Sequence, residues 1–190
     1  SEKSFVFENT YVTQPVCTPA RASIMTGLYP QKTGLHRNNI PLDKNIQTIG
    51  DLINEEYYNV HMGKWHLGDD MIAQHGFDKW IDIENSGGVR STKKEYRYVE
   101  SPYNKWLKSF DITPPEAEKT YESWVGEANL TEEQTQAGFL GHEASEFISN
   151  YPKSTHYEKP WMLFVNFFEP HPPYTGPLNE LYDPDKIEVG

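Results

Sequence analysis

The run WMLFVNFF, residues 161–168, constrains the fold more than any other stretch of the chain. It is apolar almost throughout. A strand that faces solvent on one side alternates in polarity, whereas one covered on both faces does not. The run therefore predicts a central strand packed between helices. YNVHMG (58–63) is a second candidate strand, closed by glycine, and DKWIDI (78–83) is a third. SFVFENTYV (4–12) is rich in β formers and reads as a short strand or an extended lead-in.

Helical patterns alternate with these strands. Thr18 reads as an N-cap and Pro19 as the first helical residue of PARASIMTG, which stops at Gly27. Thr48 opens TIGDLINEEY, with Ile49, Leu52 and Ile53 on one face. Ser101 caps and Pro102 starts a helix carrying Tyr103, Trp106, Leu107 and Phe110 at helical spacing. TEEQ (131–134) has the form of a capping box, and the helix it starts runs to about Asn150. Its expected buried stripe is Phe139, Leu140, Ala144, Phe147 and Ile148. Such alternation predicts one α/β domain over residues 1–190 with a largely parallel sheet. In sheets of this kind functional loops gather at the carboxyl ends of the strands. Residues 84–130 read as an irregular, insertion-like region.

Composition narrows the partners. With 17 Lys and Arg against 28 Asp and Glu, the chain carries a formal charge of −11. That argues against nucleic acid or an anionic membrane face as the main partner. It leaves room for an anionic substrate, since a few local cations dominate a single pocket. No stretch approaches the roughly 20 apolar residues of a membrane span. One cysteine cannot form an internal disulfide, so the redox compartment stays open. The chain begins without Met and ends on PDKIEVG, and it reads as an interior piece of a longer protein.

Three loops carry candidate chemistry. PVCTPARASIMTG (15–27) holds the lone Cys17 at the head of a predicted helix, where the dipole favours an anion, with Arg21 one turn in. A packed structural thiol and an activated one are both open on position alone. GKWHLG (63–68) follows a predicted strand. In an extended segment Lys64 and His66 would point the same way, with Trp65 packed opposite. A glycine-rich turn with a solvated Lys64 is the alternative. In NFFEPHPPYTG (166–176) His171 sits between prolines, which fix its backbone. A site residue, a polyproline docking segment and an incidental turn histidine all fit. Asp69-Asp70 could bind a metal, but adjacent acids in a loop are usually solvated; Lys93-Lys94 reads as exposed, and His61, His75, His142 and His156 lack metal-ligand spacing. The segment 90–110 supplies aromatic and basic side chains, either to a substrate subsite or to a surface insertion with its own small core.

Taken together, CTPARASIMTG, YYNVHMGKWHLG and FFEPHPPY resemble the formylglycine-dependent sulfatases of the alkaline-phosphatase-like superfamily. The resemblance covers 5–83 and 134–190 and is thin across 84–130. It implies an alkaline-phosphatase-like α/β fold, incomplete in this chain. It also implies that Cys17, with Pro19 and Arg21 as the recognition signal, is oxidised by a separate formylglycine-generating enzyme. The resulting aldehyde hydrate would attack sulfur with one hydroxyl and expel sulfate by deprotonation of the other. By the same resemblance Arg21 holds the diol, Lys64 bridges diol and sulfate, His66 accepts a diol proton, and His171 contacts sulfate or protonates the leaving oxygen. A divalent ion, typically calcium, is implied, with Cys17 in its modified form as one ligand and the other ligands outside this chain. The family's upstream Asp pair is missing, so the 190 residues alone are expected to be inactive. The implied substrate is a sulfated small molecule or carbohydrate. A phosphonate monoester or phosphodiester hydrolase and a non-catalytic anion-binding homologue are the alternatives. Periplasmic, secreted or lysosomal placement is favoured over cytoplasmic.

Overall fold

The computed structural model describes residues 5–53, 55–84, 91–114, 129–172, 176–178 and 180–187. Three strands form one parallel sheet in the order β2-β1-β3. They are β1 (Tyr58–Gly63), β2 (Lys79–Ile81) and β3 (Trp161–Asn166). Among the described residues β1, not β3, is the central strand, and β1 is buried from Asn59 to Gly63. The apolar run at 161–168 does mark a strand packed on both faces, Leu163 and Val165 on one and Met162 and Phe164 on the other, but it is half-buried, has one described neighbour and stops at Asn166. Hydrophobicity reports the need for cover, whereas neighbours on both sides decide which strand is central.

Side chains alternate across the sheet. Val60, Met62 and Ile81 face Tyr103 and Leu107 of α4 (Pro102–Lys108) and Phe139, Leu140 and Phe147 of α5 (Gln136–Asn150). On the other side Trp80, Met162 and Phe164 pack with Trp65, Leu67, Phe77 and with Ala22 and Met25 of α1 (Cys17–Thr26). The result is the expected α/β layering, with helices on both faces of a parallel sheet.

Several local expectations shift. α1 starts at Cys17, with Val16 at the cap and no side-chain cap bond. Thr18 does not cap because its hydroxyl is drawn away to the His66 carbonyl, 3.0 Å distant. Pro19 is tolerated in the first turn, where a missing N–H costs no helical bond. The helix ends as expected at Gly27, in the left-handed region at φ 70°. Thr48 and Asp51 do form a capping box, but α3 (Ile49–Leu52) is a single turn and leaves Ile49 and Leu52 exposed. Asn59 and Thr48 tie this turn to β1 and the His75 carbonyl, so the chain straightens at Ile53. The Thr131–Gln134 box caps only a 3-10 turn, and Thr135 caps α5 instead. On α5 Phe139, Leu140 and Phe147 are buried, Ala144 is half-buried, and Ile148 is 51% exposed. Residues 5–12 are an extended lead-in and not a sheet strand, with Phe5, Phe7 and Tyr11 exposed. Of the insertion-like region, 85–90 and 115–128 lie outside the described residues. No described helix is long and apolar enough to cross a membrane.

Candidate active site

The site assembles where β1 and β3 end. Gly63 closes β1 with φ 94°, a value that L side chains rarely adopt. A Cβ there would stand 2.1 Å from the Asn166 carbonyl oxygen. Glycine therefore lets the chain turn tightly against the end of β3, where Lys64 N–H donates to that carbonyl at 2.9 Å. The chain does not stay extended: His66 has φ 60°, so the extended geometry on which the expected same-side arrangement of Lys64 and His66 rests is not the one present. Both side chains are buried, which removes the solvated-lysine alternative. Trp65 packs away from them into the α1-side core, edge-on to His61 and Trp80.

Three hydrogen bonds pin the backbone of this turn between α1 and β3. Asn166 takes the Lys64 N–H. Arg21 Nη1 donates to the Lys64 carbonyl at 2.8 Å, and the Thr18 hydroxyl donates to the His66 carbonyl at 3.0 Å. Cys17 thus stands on the same helical turn as two residues that hold the Lys64–His66 segment. The helix end itself offers little to an anion. Thr18 N–H donates to Asn38 Oδ1, Pro19 has no N–H, and Ala20 N–H bonds the Val16 carbonyl. Any anion held here depends on side-chain cations more than on free amides.

Charge is balanced locally. The Lys64 ammonium lies 3.7 Å from Glu84 and 4.3 Å above the Phe168 ring centroid. Burial pushes Arg21 below the usual guanidinium value, and Glu84, Cys17, Asp82 and Asp70 pull it back. The expectation of a solvated Asp69-Asp70 pair is overturned. Asp70 is only 3% exposed, and both oxygens of Asp69 accept from Thr92. The loop after the turn folds inward, and the buried Asp70 carboxylate lies in the field of Arg21. Lys93 and Lys94 are exposed as expected.

His171 reaches the same place from β3. Its ring packs on Phe168 with centroids 4.5 Å apart, so Phe168 contacts both His171 and the Lys64 ammonium. His171 Nδ1 donates to the Pro172 carbonyl at 2.6 Å, which leaves Nε2 of the neutral ring as an acceptor. Cys17, Arg21, Lys64, His66 and His171 therefore belong to one linked cluster of loops. Thr18, Asn38, Glu84, Asn166 and Phe168 were missed as parts of it. Thr18, Asn166 and Phe168 carried a local signal, lying inside the CTPARASIMTG and NFFEPHPPYTG stretches, whereas Asn38 and Glu84 carried none. A separate cleft lined by Glu55, Glu56, Glu158, Lys159 and Pro160 lies at the opposite strand ends and is acidic, unsuited to an anion.

The model of the family described as Sulfatase matches residues 1–185. The chain belongs to the sulfatase family. This sulfatase chain is 29% identical over 184 residues to an uncharacterized sulfatase, YidJ, of Escherichia coli, covering 92% of this chain and 33% of that protein. It is 31% identical over 168 residues to N-acetylgalactosamine-6-sulfatase of Mus musculus, covering 77% and 29%. The chain thus spans about a third of the length of the curated relatives it matches. Among solved structures, the phosphonate monoester hydrolase of Agrobacterium radiobacter superposes with a TM-score of 0.60 at 22% identity, covering 94% of this chain and 36% of that one. That likeness establishes the fold.

Proposed function

We propose that this chain carries the anion-binding and nucleophile-bearing part of a sulfate ester hydrolase. One observation supports the reading above others: three sequence-distant segments, around Cys17, Lys64 and His171, are tied together at the carboxyl ends of β1 and β3 in a sulfatase-family chain. The nucleophile in this reading derives from Cys17 by oxidation to formylglycine, with Pro19 and Arg21 as part of the signal read by a formylglycine-generating enzyme. The hydrated aldehyde would supply an attacking hydroxyl and a second hydroxyl for release of sulfate. Arg21 and Lys64 orient and neutralise the sulfuryl oxygens, electrostatic stabilisation that is usually a large share of catalysis. Substrate must compete with Glu84 for the Lys64 ammonium. His66, fixed through its carbonyl, takes a proton at the release step. His171 contacts sulfate, and protonates the leaving oxygen when its Nε2 carries a second proton.

A calcium ion is the metal this reading calls for. Among the described residues no group of three His, Cys, Asp or Glu side chains could hold one. The described residues by themselves do not make a metal site. The substrate class is a sulfate ester of a small alcohol or carbohydrate. Curated relatives are named for such different substrates as choline sulfate and sulfated N-acetylgalactosamine. Export from the cytoplasm is the proposed location.

Two measurements test the reading. Mass spectrometry of the Cys17 peptide after co-expression with a formylglycine-generating enzyme should show a loss of about 18 Da, the change from thiol to aldehyde. An unmodified thiol there would favour an anion-binding homologue. Parallel assays on the full-length protein should show faster turnover of aryl sulfate than of aryl phosphate or phosphonate. The reverse order would assign the chemistry to phosphorus.

A further inference from the structure

His61 lies one layer beneath the site, on β1, and is not needed by the mechanism above. It is fully buried, at 0% exposure. Its ring stacks on Trp80 at 4.2 Å and meets the edges of Trp65 and Phe77. Burial, with help from the nearby Arg21 charge, holds its pKa down to about 3, so the ring is neutral at any physiological pH. A backbone group of Lys64 lies close enough to oppose that shift. Nε2 faces Asn166 Nδ2 at 3.2 Å. An amide N–H can only donate, so Nε2 accepts and the ring proton sits on Nδ1.

Asn166 occupies a singular position. It pairs with Gly63 at the last step of the β1–β3 register. Its carbonyl accepts the Lys64 N–H, and its side chain reaches His61. The next residues, Phe167 to His171, form the loop that brings Phe168 against Lys64 and His171 against Phe168. Both site loops therefore leave the sheet at one residue, and His61 holds that residue from below.

We propose that His61 is a positioning residue: by accepting from Asn166 it fixes where the Lys64 and His171 loops diverge, and so sets the placement of the two groups that both contact Phe168. This rests on the proposal that Lys64 and His171 act on one substrate anion, but the geometric claim has its own readout.

A pair of variants separates positioning from packing. His61→Phe keeps an aromatic ring on Trp80 and loses the acceptor. His61→Gln loses the ring and keeps an amide oxygen for Asn166. Hydrogen exchange in the segments 64–67 and 167–172 is measured for both, relative to strand amides elsewhere. Positioning predicts exchange about tenfold faster in both segments for His61→Phe, and near wild-type exchange for His61→Gln. On substrate, His61→Phe lowers kcat roughly 10- to 100-fold with KM little changed, and His61→Gln restores most of it. Asn166→Ala, at a half-buried strand end, should reproduce the His61→Phe result if that variant fails to fold, and the double variant should be no worse than either. Rescue by Phe and not by Gln, or unaltered exchange in both segments, overturns the proposal. A full-length wild-type protein that turns over no sulfate ester would sink the functional reading alone, leaving the exchange result to decide this one.

Discussion

Gly63→Ala should be disproportionately damaging, and the structure supplies its control. At Gly63 two penalties coincide. The backbone is in positive φ, at 94°, which costs a residue with a side chain about 1–2 kcal/mol. The added Cβ also meets backbone, 2.1 Å from the Asn166 oxygen and 2.8 Å from its carbonyl carbon. Relief needs a shift of roughly 1 Å, an ordinary van der Waals separation being about 3.5 Å or less for carbon and oxygen. That shift breaks the 2.9 Å bond from Lys64 N–H to the same oxygen. Leaving those buried groups unpaired adds about 1–3 kcal/mol. The total is roughly 2–5 kcal/mol. Gly27 has a similar φ, 70°, but nothing within 4 Å of the Cβ position. Gly27→Ala should therefore cost only the backbone part, about 1–2 kcal/mol. Urea unfolding of both variants and the wild-type protein measures the difference. If the two variants unfold within about 0.5 kcal/mol of each other, the close approach of β1 and β3 at this point is not what selects glycine.

Three further outcomes follow from the same geometry. His61 has a folded pKa near 3, below its ordinary 6.5, so its contribution to stability is present above pH 6.5 and drains away as pH falls toward 3. Between pH 7 and 5 that is a loss of about 2 kcal/mol, absent from His61→Gln, and equal acid sensitivity in the two proteins would refute it. Thr18→Val removes the donor to the buried His66 carbonyl and should cost about 1–3 kcal/mol in denaturant melts together with a fall in kcat; an unchanged melt would show the bond to be dispensable. Arg21→Lys loses the fork that reaches the Lys64 carbonyl and should lower kcat/KM about 100-fold on an aryl sulfate, beyond any change in unfolding midpoint; a fall of only a few-fold would remove Arg21 from the anion site.

The Cys17–Arg21 stretch, the GKWH turn and His171 were legible as candidates because each is a short, chemically unusual pattern at the end of a predicted element. Helix ends were legible where the signal was local, as at Gly27, Ser101 and Pro102. Thr18 was misread because its hydroxyl serves a residue 48 positions away, which no local rule contains. Asp70 was misread for the same reason: loop acids are normally solvated, and only the fold brings Arg21 within reach.

The sequence by itself determined the alternation of helices and strands, the parallel α/β class and the residue types available for chemistry. These follow from periodicity and composition, which act over a few residues. Tertiary structure alone decided which strand is central, that Lys64 and His66 leave the sheet in a turn, and that Phe168 contacts both Lys64 and His171. Each of these depends on two segments far apart in the chain meeting at one strand end. PVCTPARASIMTG names a cysteine and an arginine; the carbonyl that Arg21 holds belongs to Lys64, and only the packed sheet puts it there.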